Sequence, residues 1–207
     1  MKNLKYLTIS ILPLMWSVYF LFEILTGRVK DLPTIIGNIA LIILFALVGF
    51  YFYKLSQKYP QGFKCKTIII IFSILMVIDQ GIKLIIKFFF FEDYIDIIKG
   101  FLSFNPIINT DGSWLNARFS TGISFPLLIF VNFIAIVLFF ELYRYYLSKG
   151  NNSFYGDMCF LFIFSGSLCS LIDKIFYGGS LDFIGISNLF IADIKDIYIN
   201  LGILFFI

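Results

Sequence analysis

The sequence predicts an all-α polytopic membrane protein of about six transmembrane helices, carrying a small extracytoplasmic platform of β-like or amphipathic character. Three observations carry that prediction. Hydrophobic residues make up 60% of the 207-residue chain, 28 of them Phe, and mean hydropathy is +0.94. Soluble domains do not reach such values. The apolar residues come in runs long enough to cross a bilayer, which takes about 20 residues for a core about 30 Å thick. Charged residues are only 14% of the chain, and they gather between the runs.

The first run, Tyr6 to Leu25, is longer than the apolar part of a typical signal peptide and lacks a small-x-small cleavage site. It reads as a retained span over 6–26. Further spans are expected at 34–54, 67–90, 122–143, 156–177 and 193–207. The last is short: 15 residues at about 1.5 Å each reach only about 22 Å. Lys2 and Lys5 before the first span, Lys54, Lys58, Lys64 and Lys66 before the third, and Arg144 and Lys149 after the fourth all share one side. The positive-inside rule makes that side cytoplasmic, with Arg28 and Lys30 as a weaker opposing signal. Residues 91–121 and 178–192 then lie outside. The first of these mixes short apolar runs with Gly, Asn, Pro and Asp, and reads as the platform on the membrane surface. With no repeat or low-complexity linker, the chain reads as one domain, in which two additional transmembrane helices over 1–66 precede a four-helix core over 67–207.

Composition also excludes. There is no His, so a Ser–His peptidase lacks its base and an HExxH zinc site cannot form. Cys65, Cys159 and Cys169 are odd in number and lack CxxC spacing, which argues against a disulfide framework or zinc site. Cys159 and Cys169 read as small core residues. A net charge of +3 is too small and dispersed for nucleic acid. No cofactor or metal is implied.

What remains is acidic. Asp173, Asp182, Asp193 and Asp196 fall within 24 residues among apolar runs, where an ionised carboxylate costs at least a few kcal/mol. Helical spacing puts Asp193, Asp196 and Asn200 on one face. Gly178, Gly179 and Ser180 precede Asp182 in a turn, so the chain can fold back and bring Asp182 to Asp196. Two carboxylates a few ångströms apart cannot both ionise cheaply, and such a pair titrates as a unit. One member can take a proton from water while the other polarises a peptide carbonyl, without His or metal. On the residues alone, a catalytic dyad and an ion or proton pathway both stand. Lys174 and Lys195 sit beside Asp173 and Asp196, but chain neighbours on a helix point apart and make poor pairs. Asp79 and Lys83, at i and i+4, read first as a structural ion pair. Asn109, Gly112 and Asn116 read as turn residues, and Trp114 as an interfacial aromatic.

Four blocks resemble signal peptidase II, the lipoprotein signal peptidase family, over about residues 70–207. Asp79-Gln80 with Lys83 resembles its DQxxK. Asn109 with Gly112 resembles its NxG, with one extra residue. SGSLCSLIDKIFYGGSLDFI, residues 165–184, resembles GGALGNLIDRxxxGxVVDFI without a gap. This sets Asp173 on the family's Asp, Lys174 on its Arg and Asp182 on its first catalytic Asp. The family then ends in FNxAD with a Gly six residues on. Here Asp196 stands six before Gly202, whereas the Ala192-Asp193 letters stand nine before it. The resemblance therefore implies catalytic Asp182 and Asp196, with Asp193 as the rival for the second place. It implies substrate-binding or supporting roles for Asp79, Lys83, Asn109, Gly112, Asp173 and Lys174.

The activity implied is intramembrane aspartyl endopeptidase action at the outer face of a bacterial plasma membrane. The substrate would be a prolipoprotein, cut before its diacylglyceryl-modified Cys, with membrane lipids as the other partner. Ser170, Lys174 and Asp193 depart from the family pattern. They keep open an inactive relative that binds lipopeptides or scaffolds a complex. A proton-coupled transport component is the other alternative.

Overall fold

Among the described residues five of the seven α-helices pack against a sixth, and a four-stranded sheet caps one end. The structure, a computed structural model, describes residues 2–112 and 114–206, with the side chains of Lys2, Trp114, Leu115 and Ala117 outside the description. Helices α1 (Lys2–Leu25) and α2 (Leu32–Lys58) form the expected N-terminal pair. Asp31 caps α2 by accepting from the Thr34 amide at 2.8 Å, and a proline occupies its first turn, where a missing N–H costs nothing. Helix α3 (Cys65–Ile85) runs on into a π-helical turn, Ile86–Phe90. Strands β1 (Ile95–Ile98) and β2 (Leu102–Asn109) follow, then the short helix α4 (Trp114–Phe119) and α5 (Phe125–Ser148). Helix α6 spans Phe154–Phe176, and β3 (Ser180–Ile186), β4 (Phe190–Ala192) and α7 (Ile194–Leu204) complete the chain.

Among the described residues five helical segments are long and apolar enough to cross a membrane: Asn3–Leu25, Leu32–Lys58, Cys65–Phe90, Phe125–Ser148 and Phe154–Phe176. The sixth expected span is a helix of 11 residues, α7. It starts one residue late because Asp193 serves as its N-cap and β4 occupies the residues before it. Helix α6 is the hub: 56% of its apolar window is buried, against 6–22% for the other four. Gly166 of α6 lies against Ile199 and the Lys195 carbonyl, and Gly202 of α7 lies against Ile163. A side chain at either position would force the helices apart, so small residues set their close approach. Phe154, Met158, Cys159, Leu161 and Phe162 of α6 share a core with Tyr198 and Leu204 of α7, followed by Phe205. Cys159 and Cys169 are both buried and free.

The platform is a sheet with order β1-β2-β3-β4, antiparallel throughout. Half of it comes from residues 180–192, which the sequence marked only as an outer turn. The β2–β3 register shifts between Phe104 and Ile107. Pro106 lies in that interval and has no N–H to offer a ladder, which fits a bulge there. Beyond the shift, Ile107 pairs with Asp182 and Asn109 with Ser180.

The first two helices are tied to the rest at both ends. At one end Tyr155 of α6 meets Thr8 at 3.0 Å and Ser56 at 3.1 Å. At the other, Arg28 donates to the carbonyls of Asn188 (2.7 Å) and Leu189 (2.6 Å) in the β3–β4 turn. Thr34 donates to Ser187 in the same turn at 2.8 Å. Arg28 also pairs with buried Glu23 at 3.2 Å. Its place on the platform side, against the positive-inside trend, thus has a structural partner.

Candidate active site

At the sheet end of α6 the expected acids converge with two lysines. Lys83 of α3 is completely buried. Its ammonium lies 2.9 Å from Asp79, 2.6 Å from Asp173 and 2.5 Å from Asp193. The i, i+4 pair expected from the sequence is therefore present, and the same lysine also holds α6 and the start of α7. Gln80 donates to Asp79 and to Asp173, each at 3.0 Å. A buried charge is tolerated only when partners satisfy it, and removing one partner strands the rest.

Lys195 is the second cation. Its ammonium lies 2.5 Å from Asp193, 3.6 Å from Asp173 and Asp182, and 4.0 Å from Asp196. It also donates to Ser180 at 2.5 Å. As expected, its chain neighbour Asp196 is the most distant of these four acids, and the close partner is Asp193. Asp193 is outside the helix as its N-cap, so the rule for neighbours on a helix does not apply to this pair. A four-carbon stem then carries the ammonium back over the first turn. Lys174 behaves as expected: it turns to Ser170, one turn back, at 2.6 Å.

Three carboxylates face this centre from the sheet end. Asp182, 3% exposed, accepts from Ser180 (2.5 Å) and from Asn109 (3.0 Å). Strand alternation explains Ser180, since residues i and i+2 share a face. Cross-strand pairing with β2 explains Asn109. Burial first, then the Asp193 charge, push the Asp182 carboxyl above the usual carboxylate range, while Lys195, Ser180 and Asn109 pull it back. Asp193 is fully buried. Asp193 and Asp196 form a capping box, each carboxylate accepting from the other's amide at 3.2 Å. The Asp196 side chain is 42% exposed, so its free oxygen reaches solvent. Asn200 turns outward and donates to the Asp196 carbonyl at 2.8 Å.

One oxygen from each of Asp182, Asp193 and Asp196 lies within 4.8 Å of the others. Three carboxylates at that spacing could hold a cation, but the Lys195 ammonium already stands among them. Asn109, Gly112 and Asn116 lie on the segment that leaves β2. The Asn109 side chain also accepts from the Asp111 amide at 3.2 Å, closing the turn toward Gly112. Gly112 takes a positive φ of 69° and packs toward Phe125 and Leu128 of α5. Asn116 bonds the carbonyls of Asp111 and Ile123, and so shapes the loop beyond it.

A family model for signal peptidase II matches residues 70–207. The chain belongs to the signal peptidase II family. The signal peptidase II match takes in α3 from residue 70 onward, the whole sheet and α4 to α7, and leaves α1 and α2 outside. The chain is therefore a membrane peptidase of the lipoprotein-processing class. Two solved bacterial membrane enzymes, determined by the in meso method at 2.3 Å and 1.9 Å resolution, share its fold. They align at TM-scores of 0.56 and 0.55 with 21% identity each, over 71% of this chain and 88% and 93% of theirs. No curated protein matches the chain in sequence.

Sequence reasoning missed three participants in the site: Ser180, Lys195 and the cross-helix role of Gln80. Ser180 could have been found by strand alternation from Asp182. Lys195 could not, because its reach depends on where α7 begins.

Proposed function

We propose that the chain is an intramembrane aspartyl endopeptidase using Asp182 and Asp196, and that it cuts prolipoproteins before a diacylglyceryl-modified Cys. One observation carries the choice of dyad. Asp193 is fully buried, bound by two lysines at 2.5 Å and used as a helix cap, whereas Asp196 keeps an oxygen open to solvent beside Asp182. A group that must hold water and reach a peptide carbonyl needs that access. In this reading the pair shares one proton. The ionised member takes a proton from the attacking water while the protonated member polarises the scissile carbonyl, as two close carboxylates can. Asp79, Lys83, Asp173 and Asn109 hold the pair in place. Gly112 and Lys174 lie farther out and support the loop and the α6 end.

We place the site at the outer face of a bacterial plasma membrane with the N-terminus cytoplasmic. Lys54, Lys58, Lys64 and Lys66 sit at the α2–α3 end, opposite the sheet, which supports that orientation. We read residues 1–66 as an addition to a core over 67–207, since the family match begins at residue 70. The acids gather at one end rather than through the membrane depth, which weighs against a proton-coupled transport component. A lipopeptide-binding relative without turnover draws support from the lysine beside both carboxylates.

The test is incubation of the purified full chain in detergent with a diacylglyceryl-modified prolipoprotein and with the same polypeptide unmodified, read by mass spectrometry. A product beginning at the modified Cys is expected, with the unmodified chain left whole. A persistent intact substrate that co-purifies with the protein would instead support the binding relative.

A further inference from the structure

We propose that Lys195 is a positioning residue whose charge lets Asp182 and Asp196 work as a pair at such close range. The proposal rests on the dyad reading above. Nothing in the family pattern calls for a cation here: counting back from Asp196 as the second catalytic acid, Lys195 falls where the pattern has Ala. The ammonium is nearly buried, is anchored by Asp193 and Ser180, and stands 3.6 Å from Asp182 and 4.0 Å from Asp196. It is thus within Coulombic range of both carboxylates while its strongest bonds go elsewhere.

Among the described residues, charged groups reach this point from four elements. Asp79 and Lys83 come from α3, Asp173 and Lys174 from α6, Asp182 from β3, and Asp193 and Asp196 from the start of α7. Lys83 serves Asp79, Asp173 and Asp193, and Lys174 turns to Ser170. Lys195 is therefore the cation that stands between Asp182 and Asp196. An ammonium at this distance favours the ionised form of a carboxylate by about 1–3 pH units. It holds the working protonation state, one proton on two carboxylates, at lower pH than the pair alone would allow. The extra acid, Asp193, supplies the anchor that keeps the ammonium there. Two departures from the family pattern, an acid at 193 and a lysine at 195, thus act as one unit.

The experiment is the pH dependence of kcat/KM for cleavage of a lipidated prolipoprotein by the full chain in detergent. It compares wild type, Lys195→Met, Lys195→Gln and Lys195→Arg, with Asp182→Asn and Asp196→Asn as controls. Both limbs of the profile are expected to move up by about 1–3 pH units in the neutral variants, and to keep their wild-type position in Lys195→Arg. Lys195→Gln retains donors for Asp193 and Ser180, so it separates loss of charge from loss of packing. Unmoved limbs in either neutral variant would overturn the proposal while leaving the dyad intact. A shift of the same size in Lys195→Arg would overturn it as well, even where neither neutral variant folds. Turnover surviving in Asp196→Asn would remove the dyad, and the proposal with it.

Discussion

The ammonium of Lys83 lies 2.5 Å from the carboxylate of Asp193, joining the middle of the chain to the cap of its last helix. The same ammonium binds Asp79 and Asp173, so one buried lysine ties α3, α6 and α7 at the depth where the site forms. Lys83→Met leaves these acids short of a counter-charge in an apolar surrounding. A loss of about 3–5 kcal/mol is expected, as for breaking other buried ion pairs. Unfolding followed by circular dichroism in detergent checks it, and a change under about 1 kcal/mol would mean the acids are solvated.

Asp182 trades stability for its position. Burial raises its folded-state carboxyl above the ordinary value, so the folded state binds its proton more tightly than the unfolded chain does. Its stabilising contribution is complete below the unfolded value and is lost as pH rises through the folded one. Asp182→Asn is therefore expected to abolish turnover yet raise the unfolding midpoint at neutral pH, with the gain shrinking toward acid. Unfolding midpoints across pH check this, and a midpoint lowered at neutral pH contradicts it.

Arg28 carries the first two helices to the site's framework through the Asn188 and Leu189 carbonyls. The turn it holds leads through β4 to the Asp193 cap. Arg28→Ala removes charge-assisted hydrogen bonds of about 1.5–3 kcal/mol each at most. Hydrogen exchange is expected to quicken over residues 186–196, with kcat falling more than KM rises. Unchanged exchange in that segment would show that the additional helices do not brace it.

Gly179 stands where a side chain would meet the Asn109 carbonyl and Ile108. Gly179→Ala must push β3 from β2, and so lengthen the Asn109–Asp182 hydrogen bond of 3.0 Å. A fall in kcat of about tenfold or more is expected, since small displacements of positioning groups are costly. Wild-type rates would contradict it.

Much of this was legible in the sequence because membrane physics writes in long runs. Five spans followed from apolar length, and the Asp79–Lys83 pair from helical spacing. The sheet was harder. Residues 180–192 read only as an outer turn, because SLDFIGI contains a glycine and no clean alternation, and its partner β2 lies far away in sequence. The Asp193–Asp196–Asn200 stripe was half right. Capping draws Asp193 inward, while Asp196 and Asn200 face out. Whether Lys195 points into the site depends on where α7 starts, and a helix boundary is the least certain feature of any sequence pattern.

The most direct measurement compares cleavage of a lipidated prolipoprotein by wild type, Asp182→Asn, Asp193→Asn and Asp196→Asn in one detergent preparation, with folding checked for each. The account predicts that turnover is lost in the Asp182 and Asp196 variants, and that folded Asp193→Asn retains measurable turnover. Turnover lost in the Asp182 and Asp193 variants but kept in Asp196→Asn would contradict it.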